Sequence, residues 1–170
     1  MRTGDVILST AEGYTSFIVR NATHSAWSHC AAVIWLNKNG VIELEYRPGN
    51  ILCLLDIGGG MTYDQKTKQR TAALRLVRYH EAIRTYNKIG HCRLSEKVRH
   101  DQYFLARTRE FVNKYVNGRI NFDQIRAVTA WYNDRGPEEL TSDGVYCSEV
   151  LALYLQKVVW PSIPGTKQQF

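Results

Sequence analysis

The chain has 170 residues, of which 44% are hydrophobic and 22% charged, a composition that suits one folded domain over residues 1–170 and excludes a disordered or fibrous chain. The formal charge of +6 is dispersed over Arg and Lys residues with no run longer than two, so a nucleic-acid partner is not expected. No apolar stretch reaches the roughly 18 residues of a membrane span, and "MRTGDVILST" lacks the apolar core of a secretory signal, which makes the cytoplasm the expected compartment.

In chain order, "GDVILST" reads as a strand after a Gly-Asp turn, and "TSFIVRNAT" as a short helix that turns Phe17, Ile18 and Asn21 to one side. "SHCAAVIWL" and "VIELEY" form a hairpin around "NKNG", with Gly40 supplying the positive backbone angle of the turn. The stretch "PGNILCLLDIGGGMTYDQKTKQR" carries Pro48, Gly49 and three consecutive glycines from Gly58, so it is expected to be mostly loop with a brief apolar insertion. That apolar loop is read as a cover packed onto the core, with shelter for a lipid-like acyl chain as the alternative.

"TAALRLVRY" reads as a third strand, and "HEAIRTYNKIGHCRLSE" stays open between a short helix and irregular structure. From Val98 to Val116 the residues Phe104, Leu105, Phe111, Val112, Tyr115 and Val116 make one apolar stripe of a helix that Gly118 closes. "INFDQIRAVTAWY" adds a short helix and "RGPEELTSDG" a loop, leading into "YCSEVLALYL", where Val150, Leu151 and Tyr154 anchor a helix that begins at Cys147.

A cysteine attacks a carbonyl as thiolate, and the first turn of a helix favours the thiolate because unpaired N–H groups point at the sulfur. The bland alternative is that Cys147 is a small apolar residue, so a base within reach is needed. His29 is that base: it opens an apolar strand, where packing alone would favour Val or Ile. His24, His80, His91 and His100 lie in polar surroundings and are expected on the surface. Glu43 and Glu45 alternate on one face of the next strand, and either would orient the imidazole; a regular hairpin brings Glu45 nearer. Asp5 is expected as a turn residue and Tyr146 as a packing residue.

With these parts in this order, "GDVIL", "WSH", "VIELEY" and "YCSE", the chain resembles the circularly permuted NlpC-type branch of the papain-like cysteine hydrolases, which includes YiiX-type proteins and a poxvirus homologue. The resemblance covers both ends of the chain and leaves roughly residues 52 to 120 matched only in general character. It implies an α+β, papain-like fold: a small antiparallel sheet packed against helices, with the nucleophile at a helix N-terminus. It also implies a hydrolase of cysteine peptidase or amidase type, or an acyltransferase, acting on a peptide, amide or lipid-acyl substrate without a cofactor. Cys147 matches the nucleophile, His29 the base and, by spacing, Glu43 the third member, with Glu45 as its competitor.

Two other classes compete. A metal site built on His29-Cys30 and His91-Cys92 has adjacent side chains pointing to opposite faces, and Cys30, Cys53, Cys92 and Cys147 include no CxxC pair, so free thiols are expected. A non-catalytic binding or scaffold module that keeps the fold is the remaining alternative.

Overall fold

The strand expected from "GDVILST" is β1 (Val6–Ala11), joined through helix α1 (Tyr14–Thr23) to β2 (His29–Leu36), its antiparallel neighbour. The computed structural model describes residues 1–11, 13–57, 62–64, 69–71, 73–116, 120 and 146–163. Gly58 to Gly60, Gly118, nearly all of "INFDQIRAVTAWY" and the whole of "RGPEELTSDG" lie outside them.

One edge of β2 is shared by two partners. β1 covers its first half, with Ser9 opposite His29 and Val6 opposite Ala32. Beyond it, β3 (Ile42–Glu43) covers only Trp35 and Leu36. The two meet end to end: the Thr3 N–H donates to the Leu44 carbonyl at 2.8 Å, and the Gly4 N–H to that of Val33 at 2.9 Å. The hairpin around "NKNG" therefore forms, with Gly40 at φ 76°, but it is only two residue pairs long.

The other edge of β2 belongs to β4 (Ile51–Asp56), which runs antiparallel from Ile51 opposite Leu36 to Leu55 opposite Ala32. This corrects the expected loop. "ILCLLD" is a central strand with Cys53, Leu54 and Leu55 buried, and an apolar run of this length suits a strand covered on both faces. It offers no surface cover for an acyl chain.

A short ribbon of β5 (Thr62–Asp64) and β6 (Gln69–Thr71) follows, then β7 (Arg75–Arg78) on the outer edge of β4. The segment left open resolves into α2 (Tyr79–Ala82), a 3-10 turn and β8 (Tyr86–Cys92), which pairs with β1. Among the described residues the main sheet has six strands, ordered β7-β4-β2-β1-β8 with β3 beside β2, and all their pairs are antiparallel.

Among the described residues, helices α3 (Glu96–Arg99), α4 (Phe104–Val116) and α5 (Cys147–Tyr154) add the helical layer of an α+β architecture. The predicted stripe of α4 does face inward: Phe104, Phe111, Val112 and Tyr115 are buried with Val150, Leu153 and Tyr154 of α5 over Ala32, Ile34, Leu55 and Ile57. A smaller cluster of Ile7, Ala31, Val33, Leu54 and Ala82 fills the opposite face. Among the described residues no helix is long and apolar enough to cross a membrane.

The expected inner side of α1 changes here: among its described side chains the buried one is Ser16, while Phe17 is 56% exposed. Asp5 closes the expected turn before β1, its N–H donating to the Arg2 carbonyl at 3.1 Å, and it is also a buried ion-pair centre, accepting hydrogen bonds from the N–H groups of Arg2 and Leu94 at 2.9 and 3.0 Å and pairing with buried Arg99. His91 is exposed as expected, and its Nε2 also lies 2.8 Å from the same carboxylate.

Candidate active site

The segment before His29 is fixed from three sides. The Ser28 N–H donates to the Ser9 carbonyl at 3.1 Å, and its hydroxyl meets that of Ser16 on α1 at 2.7 Å. The Trp27 ring lies so close over Gly90 of β8 that a Cβ there would stand 2.8 Å from it, and Lys88 Nζ caps the same ring 4.9 Å from its centre. His29 thus enters β2 with its backbone already placed.

Its carboxylate partner is Asp56. Carrying the β2–β4 register one step past Leu55 sets Asp56 opposite Ala31, diagonal to His29 on the same face of the sheet. The His29 Nε2 to Asp56 Oδ1 distance is 2.6 Å, and both side chains are largely buried. Tyr86 packs its ring against the imidazole with centroids 5.9 Å apart. Burial, then the Asp56 charge, hold the Tyr86 phenol above its usual range, so it stays protonated.

Glu43 and Glu45 are not at this site. Glu43 lies opposite Trp35, six positions along β2 from His29 and therefore about 20 Å away at ~3.3 Å per residue. Its carboxylate accepts from Asn37 Nδ2 at 3.2 Å, and Glu45 pairs with Arg2 Nε at 3.1 Å. The cause is topological. β1 occupies the edge of β2 from His29 to Ala32, so the strand carrying the glutamates cannot run back toward the histidine.

Cys147 is the first residue of α5, and Tyr146 is its N-cap in extended conformation. The buried Glu149 carboxylate accepts from the Tyr146 N–H at 3.2 Å, satisfying one donor of the helix start. Deeper in, the Tyr154 ring meets Phe111 edge to face at 5.4 Å, which locks α5 to α4. The half-buried Cys147 sulfur interacts with the Cys30 thiol and backbone N–H and with the His29 imidazole.

Hydrogen bonding from the Cys30 thiol lowers the Cys147 thiol well below its ordinary range; burial opposes this, and the His29 hydrogen bond and charge reinforce it. His29 moves the other way. Burial disfavours its charged form, but the hydrogen bonds to Asp56 and Cys147 and their charges outweigh it, raising the imidazole to about 10. Both directions favour a thiolate facing an imidazolium. Cys30, first through its contact with Cys147 and then through burial, is pushed well above the usual thiol range and remains protonated.

The structure therefore brings Cys147 and His29 together and leaves both glutamates outside. Asp56, Cys30 and Tyr86 are the neighbours that sequence reasoning missed. A signal for Asp56 existed: an acid ending a run of five apolar residues needs a partner if the run is buried.

No protein-family model and no curated protein matches the chain. Among solved structures it matches the crystal structure of the metalloprotein YiiX from Escherichia coli O157:H7, with a TM-score of 0.55 over 92% of this chain at 16% sequence identity. The chain has a YiiX-like fold. The match spans 66% of the YiiX chain, just under two thirds of its length. The YiiX-like sheet and helices agree with the architecture that the order of "GD", "SH" and "CSE" implies. Among the described residues no group of three His, Cys, Asp or Glu side chains is placed to hold a metal ion.

Proposed function

We propose that the chain is a cysteine-dependent hydrolase or acyltransferase that acts on an amide or ester bond, with Cys147 as nucleophile, His29 as its proton partner and Asp56 as the third member. The observation that supports this best is the imidazole placed between a carboxylate 2.6 Å away and the Cys147 sulfur. Such an arrangement is the general form of an activated nucleophile.

In this reading the proton already rests on His29 before substrate arrives. The Cys147 thiolate attacks the carbonyl carbon, and the N–H groups at the start of α5 steady the developing oxyanion. The imidazolium then gives its proton to the leaving amine or alkoxide, producing the acyl-enzyme. Neutral His29 next draws a proton from water or from another acceptor as it attacks the thioester. Asp56 holds the ring orientation and tautomer through both halves. Hydrolysis and acyl transfer share every step up to that acceptor, and peptide, small amide and lipid-acyl substrates all present the required carbonyl.

The test is activity-based profiling of purified protein against amides, thioesters and phospholipids, with Cys147→Ala as the control. Trapping an acyl group on Cys147 by mass spectrometry supports the reading. Turnover that survives in Cys147→Ala overturns it.

A further inference from the structure

Cys30 is one position beyond His29 on β2 and points to the opposite face of the sheet, the face on which α5 packs. There it lines, with Cys147, Ala32, Leu55, Val150 and Tyr154, a narrow gap between strand and helix that is too tight for a water molecule. Cys30 lines this gap from the strand and Cys147 from the start of the helix. A strand position that needed only a small side chain would be served by Ala, as at Ala31 and Ala32 that follow.

We propose that Cys30 is the resolving thiol of a redox modification site, closing a reversible disulfide with Cys147 when the protein meets a peroxide. The step balances. The Cys147 thiolate attacks one peroxide oxygen, an S–O bond forms, the O–O bond breaks, and hydroxide leaves and is protonated to water. Sulfur is oxidised by two electrons to the sulfenic acid and the peroxide is reduced. The Cys30 sulfur then attacks the Cys147 sulfur, the S–O bond breaks, and the hydroxyl leaves with the Cys30 proton as a second water.

The division of labour between the two thiols follows from their surroundings. Cys147 holds its thiolate beside His29 and is the one that meets peroxide, whereas Cys30 keeps its proton until its neighbour is oxidised. Cys53 and Cys92 are on other strands, β4 and β8. The disulfide would remove the nucleophile from catalysis and protect it from irreversible oxidation to the sulfinic acid, and an exchanging dithiol would restore both thiols. The effect on turnover rests on the reading of Cys147 as the nucleophile; formation of the bond does not.

The experiment treats full-length reduced protein with one to five equivalents of hydrogen peroxide, then alkylates remaining thiols and maps peptides under non-reducing conditions. The expected result is a Cys30–Cys147 linked peptide that dithiothreitol removes, with Cys53 and Cys92 still alkylated. In Cys30→Ser and Cys30→Ala, Cys147 is expected to accumulate instead as a dimedone-trapped sulfenic acid and then a sulfinic acid. Cys147 that reacts fast with iodoacetamide yet yields no linked peptide overturns this inference and leaves the proposed function standing. Cys147 inert to both reagents overturns the two together.

Discussion

Asp56 Oδ1 stands 2.6 Å from His29 Nε2 although the two residues belong to neighbouring strands and are 27 positions apart in the chain. The contact is diagonal across the β2–β4 ladder, so the imidazole is held by a side chain from rigid sheet and not from a loop. Replacing Asp56 by Asn keeps the shape and removes the charge that favours imidazolium. Turnover of an amide substrate is expected to fall by about 10²–10⁴, the usual range for a mispositioned acid–base group. Glu43→Gln and Glu45→Gln should stay within twofold of wild type. Initial rates of the three variants check this, and a Glu43→Gln loss as large as that of Asp56→Asn would refute the assignment.

The pair Cys147 and His29 sets a pH window. His29 binds its proton more tightly in the folded chain, about 10 against an ordinary 6.5, so its contribution to stability is complete below 6.5 and disappears as pH rises through about 10. Cys147 moves below its ordinary 9.0, so its contribution is present above that value and is lost as pH falls through the lowered one. These shifts favour the ion pair between the lowered Cys147 value and about 10. Iodoacetamide alkylation of Cys147 is therefore expected to be already at its plateau at neutral pH. In His29→Ala the rise should shift toward alkaline pH. A wild-type profile that rises near pH 9, as for a free thiol, would remove the ion pair.

How far the sequence led can be judged from these residues. The helix start at Cys147 and the odd imidazole at the head of an apolar strand were legible because each breaks a local rule, and periodicity alone placed β1, β2 and α4. Asp56 was not legible because Pro48, Gly49 and the glycines after Ile57 made "ILCLLD" look like an insertion in a loop. Only the sheet order reveals that it is a central strand. The glutamates were misplaced for a related reason: a hairpin read by itself leaves the edge of β2 open, whereas in the fold β1 already occupies it from His29 to Ala32. Asp5 is the turn residue its position suggests, but its second role as an ion-pair centre was not legible because Leu94, His91 and Arg99 come from much later in the chain.

Gly4 precedes that carboxylate with φ +89°, a conformation that L side chains rarely adopt, and a Cβ there would come within 2.7 Å of Phe104 Cζ and 2.8 Å of Leu94 Cδ2. Phe104 is fully buried and has no room to withdraw. Gly4→Ala is expected to cost about 1–3 kcal/mol from overpacking alone, with backbone strain added. Thermal melting checks this, and a melting temperature within a degree of wild type would show that the N-terminal turn gives way freely.

The Asp5 centre makes the sharper stability prediction. Arg99 and Asp5 are 3% and 2% exposed, so removing the carboxylate leaves the buried guanidinium with only Glu96, which is 57% exposed and 2.8 Å from Nη1, as its charge partner. Breaking a buried pair outright costs about 3–5 kcal/mol, and the surviving Glu96 contact places the loss at or below the lower end of that range. Burial works against the Asp5 anion, but the N–H groups of Leu94 and Arg2, then His91 and Arg99, keep it below the usual carboxylate range. Its contribution to stability is accordingly present at neutral pH and is lost as pH falls through that lowered value. Asp5→Asn should lower the melting temperature at pH 7 by several degrees, and by progressively less as the medium is acidified. Asp5→Asn combined with Arg99→Met should recover part of the loss, because the double variant leaves no buried charge. If the double variant melts below the single one at pH 7, the cost does not come from an Arg99 left with Glu96 alone, and the centre stabilises the fold through its hydrogen bonds to Arg2 and Leu94.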